Sequence, residues 1–415
     1  MAKIVLKDCR LIATQNKKRE ILENKSIVID GNSIRRICDF NLLKDENLDD
    51  FKIFDMKDAI IIPGLINSHT HSSMNLFRGV GSGLKLDLWL KSLWKEEAKL
   101  TSDDIYSGSI DAFSESIRSG VTTIVDMYFG MDQIYEAAKL TGLRAFLGYG
   151  MIDLFDSDKR KKEISEEKKW VDFIIEKEKE NNHRIKPIVM PHALNTCSKE
   201  LLLWAKKYAE ENNLVLGIHA AESLPEVEFI YDKYGKEITD FVKEIGYFEN
   251  SILFHGVHLD YGKVKNFSGK NFSVVNCPSS NLKLLSGVLD LRDVSCSGIS
   301  FGLGTDGAAS NNNLDILEEM KISAMLYDAN RIIKNDDAPC FEQEIFDSVT
   351  VNPAKFLKIN AGCMCEGKLA DIVVLRTNMH MSNTSKNNLV SNIVYSANSD
   401  DVKMTIIDGN IRYVI

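Results

Sequence analysis

The stretch PGLINSHTHSSMN, residues 63–75, carries the strongest structural signal in the chain. An apolar run from Ile60 to Ile66 leads into His69-Thr-His71. Residues two apart on a strand point to the same face, so both imidazoles project together from the end of one strand. Two neutral imidazoles side by side suit a divalent transition metal. The stretch therefore predicts a metal site at a strand end; the alternative is a surface loop carrying two polar residues.

Length and charge restrict the class of protein. The chain has 415 residues, of which 44% are hydrophobic, enough for a large core. A barrel of roughly 250 to 300 residues with a small accessory domain accounts for this length. The net charge of -9 argues against nucleic acid or an anionic membrane as partner. No run reaches the length of a transmembrane helix, and the start lacks the apolar segment of a signal peptide. With eight scattered cysteines, these features predict a cytoplasmic protein that binds a small molecule.

The two ends of the chain share one pattern. Short apolar runs separated by polar turns occupy residues 1–57, and similar runs occupy residues 366–415. Asp408-Gly409 in the second segment is a hairpin signal. Neither segment is long enough to bury a core alone. We therefore predict one small β-sandwich domain built from both, with residues 58–365 inserted between them as the larger domain.

Eight apolar runs alternate with helical patterns between these ends. They are Ile60–His71, Val121–Met127, Arg144–Gly150, Ile185–His192, Val215–Glu222, Ser251–His258, Phe272–Cys277 and Ile299–Asp306. Near-continuous apolar strands separated by helices indicate a parallel sheet covered by helices. Eight such units predict an α/β fold of the (β/α)8 TIM-barrel type. An open doubly wound sheet is the alternative.

Polar residues fall where these predicted strands end, which in barrels is the catalytic face. The predicted metal ligands are His69, His71, His219 and Asp306. This set binds one divalent ion and leaves a position for water, whose pKa the metal brings from about 15.7 towards 7. Glu222, one turn beyond His219, is placed to shuttle a proton without binding the metal. His255 is placed to orient or deprotonate the water, so the predicted catalytic residues are Glu222, His255 and Asp306.

The motifs PGLINSHTH, His219-x-x-Glu222, His255, CPSSNLK at 277–283 and GTDGAASN at 304–311 together resemble the amidohydrolase superfamily. The likeness is to its branch of S-adenosylhomocysteine/methylthioadenosine deaminases and chlorohydrolase-like enzymes, and it covers nearly the whole chain. It implies one divalent metal, zinc with iron as the alternative. It also implies hydrolytic deamination of an adenine-type nucleoside, such as S-adenosylhomocysteine, methylthioadenosine or adenosine, with release of ammonia. Deamination of guanine, or hydrolysis of another aminated or chlorinated heterocycle, is the alternative.

The same resemblance implies roles for individual residues. Glu222 protonates the purine ring nitrogen, while Glu97 holds the ribose hydroxyls, Trp89 lines the base pocket and His192 contacts the nucleoside. Tyr149 stands where nucleoside deaminases of this kind carry an arginine, so the group on the 5′ carbon of the substrate stays open. The relatives often assemble as dimers or tetramers, and the resemblance therefore implies a homo-oligomer.

Overall fold

Strands and helices alternate through the middle of the chain in the computed structural model, which describes residues 3–177, 180, 182–337, 339, 341–377 and 380–415. Numbered in chain order, the strands are β1 (Lys3–Ala13), β2 (Ile21–Asp30), β3 (Ser33–Cys38), β4 (Lys52–Asp55), β5 (Ala59–Pro63), β6 (Leu65–Thr70), β7 (Val121–Tyr128), β8 (Arg144–Met151), β9 (Ile185–Pro187), β10 (Met190–Pro191), β11 (Leu216–Ala220), β12 (Ser251–His255), β13 (Phe272–Asn276), β14 (Ser300–Leu303), β15 (Ile372–Arg376), β16 (Val402–Ile407) and β17 (Asn410–Val414). The helices are α1 (Leu86–Glu97), α2 (Ser102–Arg118), α3 (Met131–Thr141), α4 (Ser157–Lys177), α5 (Lys199–Glu211), α6 (Leu224–Tyr234), α7 (Ile238–Glu244), α8 (Tyr261–Val264), α9 (Pro278–Lys283), α10 (Leu291–Cys296), α11 (Ala308–Asn311), α12 (Ile316–Lys334), α13 (Glu342–Ser348), α14 (Val351–Phe356) and α15 (Leu389–Tyr395). Among the described residues, no helix is long and apolar enough to cross a membrane.

Parallel strands form the (β/α)8 barrel in the middle of the chain. One sheet has the order β10-β8-β7-β6, with β9 also paired to β8, and a second has the order β11-β12-β13-β14. Because β9 and β10 are two short pieces of one strand position, the two sheets together fill eight positions. Nearly every residue in these strands is buried, as expected of parallel strands covered by helices. The predicted fold class is confirmed.

The two parallel sheets meet along both of their outer edges. On one side, Val189 forms a parallel bridge with Leu216. On the other side, the backbone N–H of Asp306 donates to the carbonyl oxygen of His69 at 3.0 Å. The second contact brings the end of the last barrel strand beside the end of the first, and so places two predicted metal ligands next to each other.

The two ends of the chain build one further sheet. Its strands have the order β17-β16-β15-β5-β1-β2-β3, and β4 also pairs with β1. It has an apolar core separate from the barrel core, to which both ends contribute, for example Ile4 and Ile29 from the first segment and Val374 and Met404 from the last. The two chain ends therefore form β structure together, as the sequence predicts. The domain borders at 57/58 and 365/366 stay predictions.

The hairpin predicted at Asp408-Gly409 is present and touches the other end of the chain. β16 and β17 pair antiparallel, with Ile407 opposite Asn410. Asp408 and Gly409 have φ values of 52° and 74°, as this class of two-residue turn requires. A Cβ atom on Gly409 would lie 1.9 Å from the carbonyl oxygen of Gly31. Glycine is therefore required where the hairpins of the two termini meet.

One predicted barrel strand is divided in the structure. The sequence predicts a single strand across Ile60–His71, but the chain leaves one sheet and enters another at Gly64. β5 before it pairs with β15 of the terminal sheet, and β6 after it pairs with β7 of the barrel. A Cβ atom on Gly64 would lie 2.2 Å from Thr122 Oγ1, so the crossing needs a glycine. An unbroken apolar run does not reveal this division, because strands buried in either sheet have the same composition.

A buried charge cluster joins the barrel to the terminal sheet. The Arg144 guanidinium, at the start of β8, donates to Asp371 at 2.9 Å and 3.2 Å and to Asp408 at 3.3 Å. The three side chains are only 2 to 6% exposed. Asp371 precedes β15 and Asp408 follows β16. The arginine of the barrel therefore pairs with two carboxylates of the sheet built by the chain ends.

Replacing Arg144 with methionine is expected to lower the free energy of unfolding by about 3 to 5 kcal/mol, because two buried carboxylates lose their counter-charge. Equilibrium denaturation in urea measures the change. The matched control is Lys161→Met, which removes an ion pair with Asp158 that is exposed on both sides and should leave the denaturation midpoint unchanged. Equal midpoints for the two variants would contradict the assigned role of Arg144.

Candidate active site

Four strand ends meet around one point at the carboxyl face of the barrel. His69 and His71 come from the end of β6, His219 from β11, His255 from β12, and Asp306 from the segment after β14. Each is at most 8% exposed. Because all strands of the barrel run in one direction, residues more than two hundred positions apart in sequence are brought together here.

Three imidazole nitrogens point at one another across a very short gap. The Nε2 atom of His219 lies 3.1 Å from Nε2 of His69 and 3.3 Å from Nε2 of His71. The His69 ring is held in place by stacking on Phe254, with ring centroids 4.0 Å apart. Nitrogen lone pairs at this separation repel each other unless a proton or a metal cation lies between them.

Backbone carbonyls fix the orientation of two of these rings. The Nδ1 atom of His71 lies 2.6 Å from the carbonyl oxygen of Met127, and Nδ1 of His219 lies 2.6 Å from the carbonyl oxygen of His192. A carbonyl only accepts hydrogen bonds, so each Nδ1 carries the proton and each Nε2 is left to face the centre. This is the arrangement in which metal-binding histidines are commonly held.

Asp306 completes the group from the opposite side. Its Oδ1 atom lies 3.3 Å from Nε2 of His71 and 3.6 Å from Nε2 of His69. Its Oδ2 atom accepts hydrogen bonds from Ser280 Oγ at 2.5 Å and Ser310 Oγ at 3.0 Å. Burial alone would raise the pKa of Asp306, but the hydrogen bond and charge of His71 outweigh burial and hold it well below its ordinary value. The carboxyl group is therefore an anion.

The imidazoles differ in their affinity for protons. Burial, followed by the neighbouring rings, lowers the pKa of His69 and of His219 well below the ordinary value, so both rings are neutral. Burial also acts to lower the pKa of His71, but Asp306 reverses the effect and raises it to about 9. A metal cation that binds here has to displace the proton of His71, and its affinity therefore falls as the pH falls.

The spacing of these four groups fits one divalent metal ion. Four ligands at about 2.0 to 2.1 Å from a tetrahedral ion lie about 3.4 Å from one another. Four separations agree with that value: 3.1 Å and 3.3 Å from His219 Nε2 to His69 and His71, and 3.3 Å and 3.6 Å from Asp306 Oδ1 to His71 and His69. Three imidazoles and one carboxylate are also a donor set that zinc accepts.

Glu222 and His255 face each other beside this group. The Glu222 Oε2 atom lies 3.8 Å from Nε2 of His255, and Oε1 accepts a hydrogen bond from Ser286 Oγ at 3.4 Å. On its other side, His255 Nδ1 lies 2.8 Å from Asn281 Oδ1. Burial raises the pKa of Glu222, although the nearby His255 opposes the shift. Glu222 therefore keeps its proton to a higher pH than a free glutamic acid does.

A cavity of about 290 Å³ opens in front of the metal-ligand group, by which we mean the four predicted ligands His69, His71, His219 and Asp306. All four residues predicted to contact substrate line it: Trp89, Glu97, His192 and Glu222. Its remaining walls are mainly apolar, as expected of a pocket for a small molecule. Three of the four predicted ligands (His71, His219 and Asp306), the predicted proton carriers and the predicted substrate contacts therefore line one cavity.

Glu97 is a buried carboxyl group inside the cavity. It ends α1 and is only 9% exposed. The Tyr128 hydroxyl donates to Glu97 Oε1 at 2.7 Å. Burial raises the pKa of Glu97, and the tyrosine hydrogen bond opposes that shift. The second carboxyl oxygen remains available for a polar group of a bound molecule.

Trp89 and His192 form two further walls of the cavity. Trp89 is 5% exposed, and its Nε1–H donates to the carbonyl oxygen of Val80 at 3.2 Å. The Nδ1 atom of His192 lies 2.9 Å from Thr196 Oγ1. Burial, followed by the charge of His71, lowers the pKa of His192 to about 3, so the ring is neutral and presents a hydrogen-bonding edge.

Tyr149 does not line the cavity. Its hydroxyl donates to Glu163 Oε2 at 2.9 Å, and the same oxygen accepts the backbone N–H of Ile152 at 3.2 Å. The nearby Arg160 is also occupied, because its NH1 atom lies 3.6 Å from Asp153 Oδ2 and donates to Ser198 Oγ at 3.0 Å. In this structure neither side chain takes the place of a substrate-binding arginine.

The comparison with known families agrees with this geometry. A family model described as the amidohydrolase family matches residues 60–412. The chain belongs to the amidohydrolase family. The match spans the whole barrel and most of the C-terminal strands, and it confirms the resemblance drawn from the motifs. Amidohydrolases are metal-dependent hydrolases, and among the described residues two overlapping groups could hold a metal ion: His69, His71 and Asp306, and His69, His219 and His255.

Curated relatives with about 40% identity cover almost the entire chain. A protein named 5-methylthioadenosine/S-adenosylhomocysteine deaminase from Thermococcus sibiricus is 40% identical over 388 residues, covering 93% of this chain and 88% of the relative. A protein named 5′-deoxyadenosine deaminase from Methanocaldococcus jannaschii is 41% identical over 394 residues, covering 94% and 91%. The amidohydrolase relatives therefore include two named deaminases of different substrates.

Solved amidohydrolase structures share the fold at lower sequence identity. An adenosine deaminase from Xanthomonas campestris with bound zinc has a TM-score of 0.89 and 24% identity, covering 100% of this chain and 93% of that one. A guanine deaminase from C. acetobutylicum with bound guanine has a TM-score of 0.87 and 20% identity, covering 99% and 100%. Because these proteins act on different molecules, the fold alone does not select a substrate.

Sequence reasoning missed several residues of the site. Tyr128 and Glu226 were not singled out, although both line the cavity, and Asn281 was noted only as part of a motif. The signal for Tyr128 was its position at the end of β7, the same kind of position that identified the histidines. The signal for Glu226 was the pattern Ser223-x-x-Glu226, which is typical of a helix start.

Replacing His219 with alanine is expected to abolish stoichiometric zinc binding, because it removes one of four convergent donors. Metal content after dialysis against limiting zinc, measured by atomic emission, tests this. The control is His183→Ala, which removes an exposed histidine outside the site and should leave zinc binding unchanged. Full zinc content in the His219 variant would show that the ion is held by other groups.

Proposed function

We propose that the chain is a hydrolytic deaminase of an adenine-type nucleoside, such as adenosine or a 5′-substituted adenosine. The observation that carries this proposal is Glu222, a buried carboxyl group of raised pKa that faces His255 beside the metal-ligand group. A carboxyl group that retains its proton is what a purine ring nitrogen needs as donor. The names of the curated relatives support a nucleoside over other cyclic amidines.

The metal we propose is a single zinc ion, with iron as the alternative, bound by His69, His71, His219 and Asp306. Such an ion lowers the pKa of a water molecule bound to it, so that a nucleophile forms near neutral pH. The short separations among these donors support the assignment.

The chain's own residues then handle the protons. Glu222 donates to the ring nitrogen next to the carbon under attack, which makes that carbon more electrophilic. His255 accepts the proton of the attacking water through Nε2, because its Nδ1 atom is engaged with Asn281. Asp306 shares this proton and passes it towards the departing amine. Overall, water supplies the oxygen of the new carbonyl group, and the amino group leaves as ammonia.

Three further residues are proposed to bind the nucleoside. Glu97, held by Tyr128 at 2.7 Å, accepts hydrogen bonds from ribose hydroxyls through its other oxygen. Trp89 packs against the base, and the neutral His192 offers a hydrogen bond to the nucleoside. A buried acceptor for ribose favours a nucleoside over a free base such as guanine. Tyr149 is hydrogen-bonded to Glu163 and does not line the cavity, so it does not select the group on the 5′ carbon of the nucleoside. The substrate panel below determines that group.

The partner, the cellular location and the oligomeric state of the enzyme complete the proposal. We infer a small-molecule substrate as its partner, which the size of the cavity supports. A cytoplasmic location and assembly into dimers or tetramers stay predictions made from the sequence.

A substrate panel tests the proposed function. The zinc-loaded enzyme should release ammonia from adenosine, 5′-deoxyadenosine, methylthioadenosine or S-adenosylhomocysteine, and release much less from guanine. Ammonia is measured by a coupled assay, and chlorotriazines are included with chloride detection. Loss of chloride from the triazines, with no ammonia from any nucleoside, would overturn the proposal in favour of a chlorohydrolase.

Replacing Glu222 with glutamine should separate catalysis from metal binding. The variant should retain wild-type zinc content, because Glu222 is not among the proposed ligands. Its kcat should fall by about 100-fold or more, since the proton donor to the ring is lost. Glu228→Gln, an exposed change on the helix α6 that follows Glu222, is the control and should keep full activity. Wild-type turnover by the Glu222 variant would refute its role.

A further inference from the structure

Glu226 is a buried acid next to the site that the mechanism above does not use. It lies in the first turn of α6 and is 3% exposed. Its Oε2 atom accepts a hydrogen bond from the backbone N–H of Glu222 at 2.8 Å. A buried carboxyl group normally needs strong partners, and this one uses the backbone of the proposed proton donor.

The helix-start motif around Glu226 is used in an unusual way. The pattern Ser223-Leu-Pro-Glu226 matches a capping box, in which the serine side chain caps the helix and the glutamate reaches back to the serine N–H. Here the Ser223 side chain makes no capping hydrogen bond. Glu226 instead reaches one residue further back, to Glu222. A glutamate that normally caps the start of its own helix therefore holds Glu222, the residue before the motif, in place.

The backbone between His219 and Glu222 needs such an anchor. Ala221 has a φ of 55°, in the left-handed region that alanine rarely adopts without support from its surroundings. Its carbonyl oxygen accepts the backbone N–H of His258 at 2.9 Å. Burial raises the pKa of Glu226 to about 8, while the backbone amides of Glu222, Ala221 and Ser223 oppose the shift. The carboxyl group is thus attached to this turn through the backbone N–H of Glu222.

The side chain of Glu222 is held only loosely by its own contacts. These are 3.4 Å to Ser286 Oγ and 3.8 Å to His255 Nε2, both at or beyond the range of a good hydrogen bond. The direction of the carboxyl group therefore depends on the backbone from which it projects. We propose that Glu226 is a positioning residue, which fixes the turn at residues 221–223 and so aims Glu222 at the substrate. This inference rests on the proposed function of Glu222.

Two substitutions at Glu226 test this role. Glu226→Ala removes the acceptor and should lower kcat by about 100-fold, the scale expected when a reacting group is misplaced by about 1 Å. Zinc content should stay at the wild-type value because the proposed ligands do not change, and KM should change far less than kcat because Glu226, although it lines the cavity, is not one of the proposed nucleoside contacts. Glu226→Gln keeps an acceptor oxygen and should recover at least about tenfold of the lost kcat. Glu228→Ala on the exposed face of α6 is the matched control.

A double-mutant cycle shows whether Glu226 acts through Glu222. In the Glu222→Gln background, Glu226→Ala should cause no further loss of kcat, because the group that it positions is already gone. A further loss there, or equal losses for Glu226→Ala and Glu226→Gln, would overturn the inference. Wild-type kcat in Glu226→Ala would overturn it as well, while leaving the deaminase proposal intact as long as the wild-type enzyme releases ammonia.

A crystal structure of Glu226→Ala provides a test that does not depend on turnover. We expect the turn at residues 221–223 to shift and the Glu222 carboxyl group to leave its place beside His255. An unchanged position of Glu222 would overturn the inference even if the substrate panel had failed.

Discussion

The rest of the structure depends on holding His219 Nε2 and Asp306 Oδ1 each within 3.1 to 3.6 Å of the imidazole nitrogens of His69 and His71. Water would separate such groups, and a flexible chain would not bring their lone pairs together. The barrel does so because four of its strands end at the same point. Its two sheets are joined on one side by the Asp306–His69 backbone contact, so the first and last strands cannot move apart independently.

Hydrogen-bond acceptors and donors around these four groups fix the orientation of their side chains. Carbonyl oxygens of Met127 and His192 set the tautomers of two imidazoles, and Ser280 and Ser310 hold the carboxylate. The backbone is strained at the same place: the φ values of Ala221, His255 and Asp306 are 55°, 69° and 60°. Non-glycine residues persist in this region where surrounding contacts compensate, and they are concentrated at functional sites.

The proposed proton carriers are controlled differently from the proposed metal ligands. His255 has one nitrogen engaged with Asn281, which leaves the other to exchange protons. Glu222 has weak side-chain contacts and a backbone N–H held by Glu226. A proton donor has to approach substrate and then release its proton, so anchoring through the backbone leaves its carboxyl oxygens available. A metal ligand, by contrast, has to stay in one orientation, and the rings of His71 and His219 are held directly by hydrogen bonds to backbone carbonyl oxygens.

The sequence by itself determined the fold class and the identity of the convergent residues. Apolar runs at eight strand positions indicated a barrel, and histidines placed where those runs end indicated a single site, because strand direction is common to every unit of such a fold. Only the tertiary structure decided where the run at Ile60–His71 changes sheets, since both sheets bury apolar strands alike. It also decided that Tyr149 pairs with Glu163 outside the cavity, that Tyr128 holds Glu97, and that Glu226 reaches Glu222 instead of Ser223. Whether such a hydrogen bond forms depends on differences of a few tenths of an ångström in the distance between two polar atoms. Neither the periodicity of the sequence nor the spacing of its motifs contains that information.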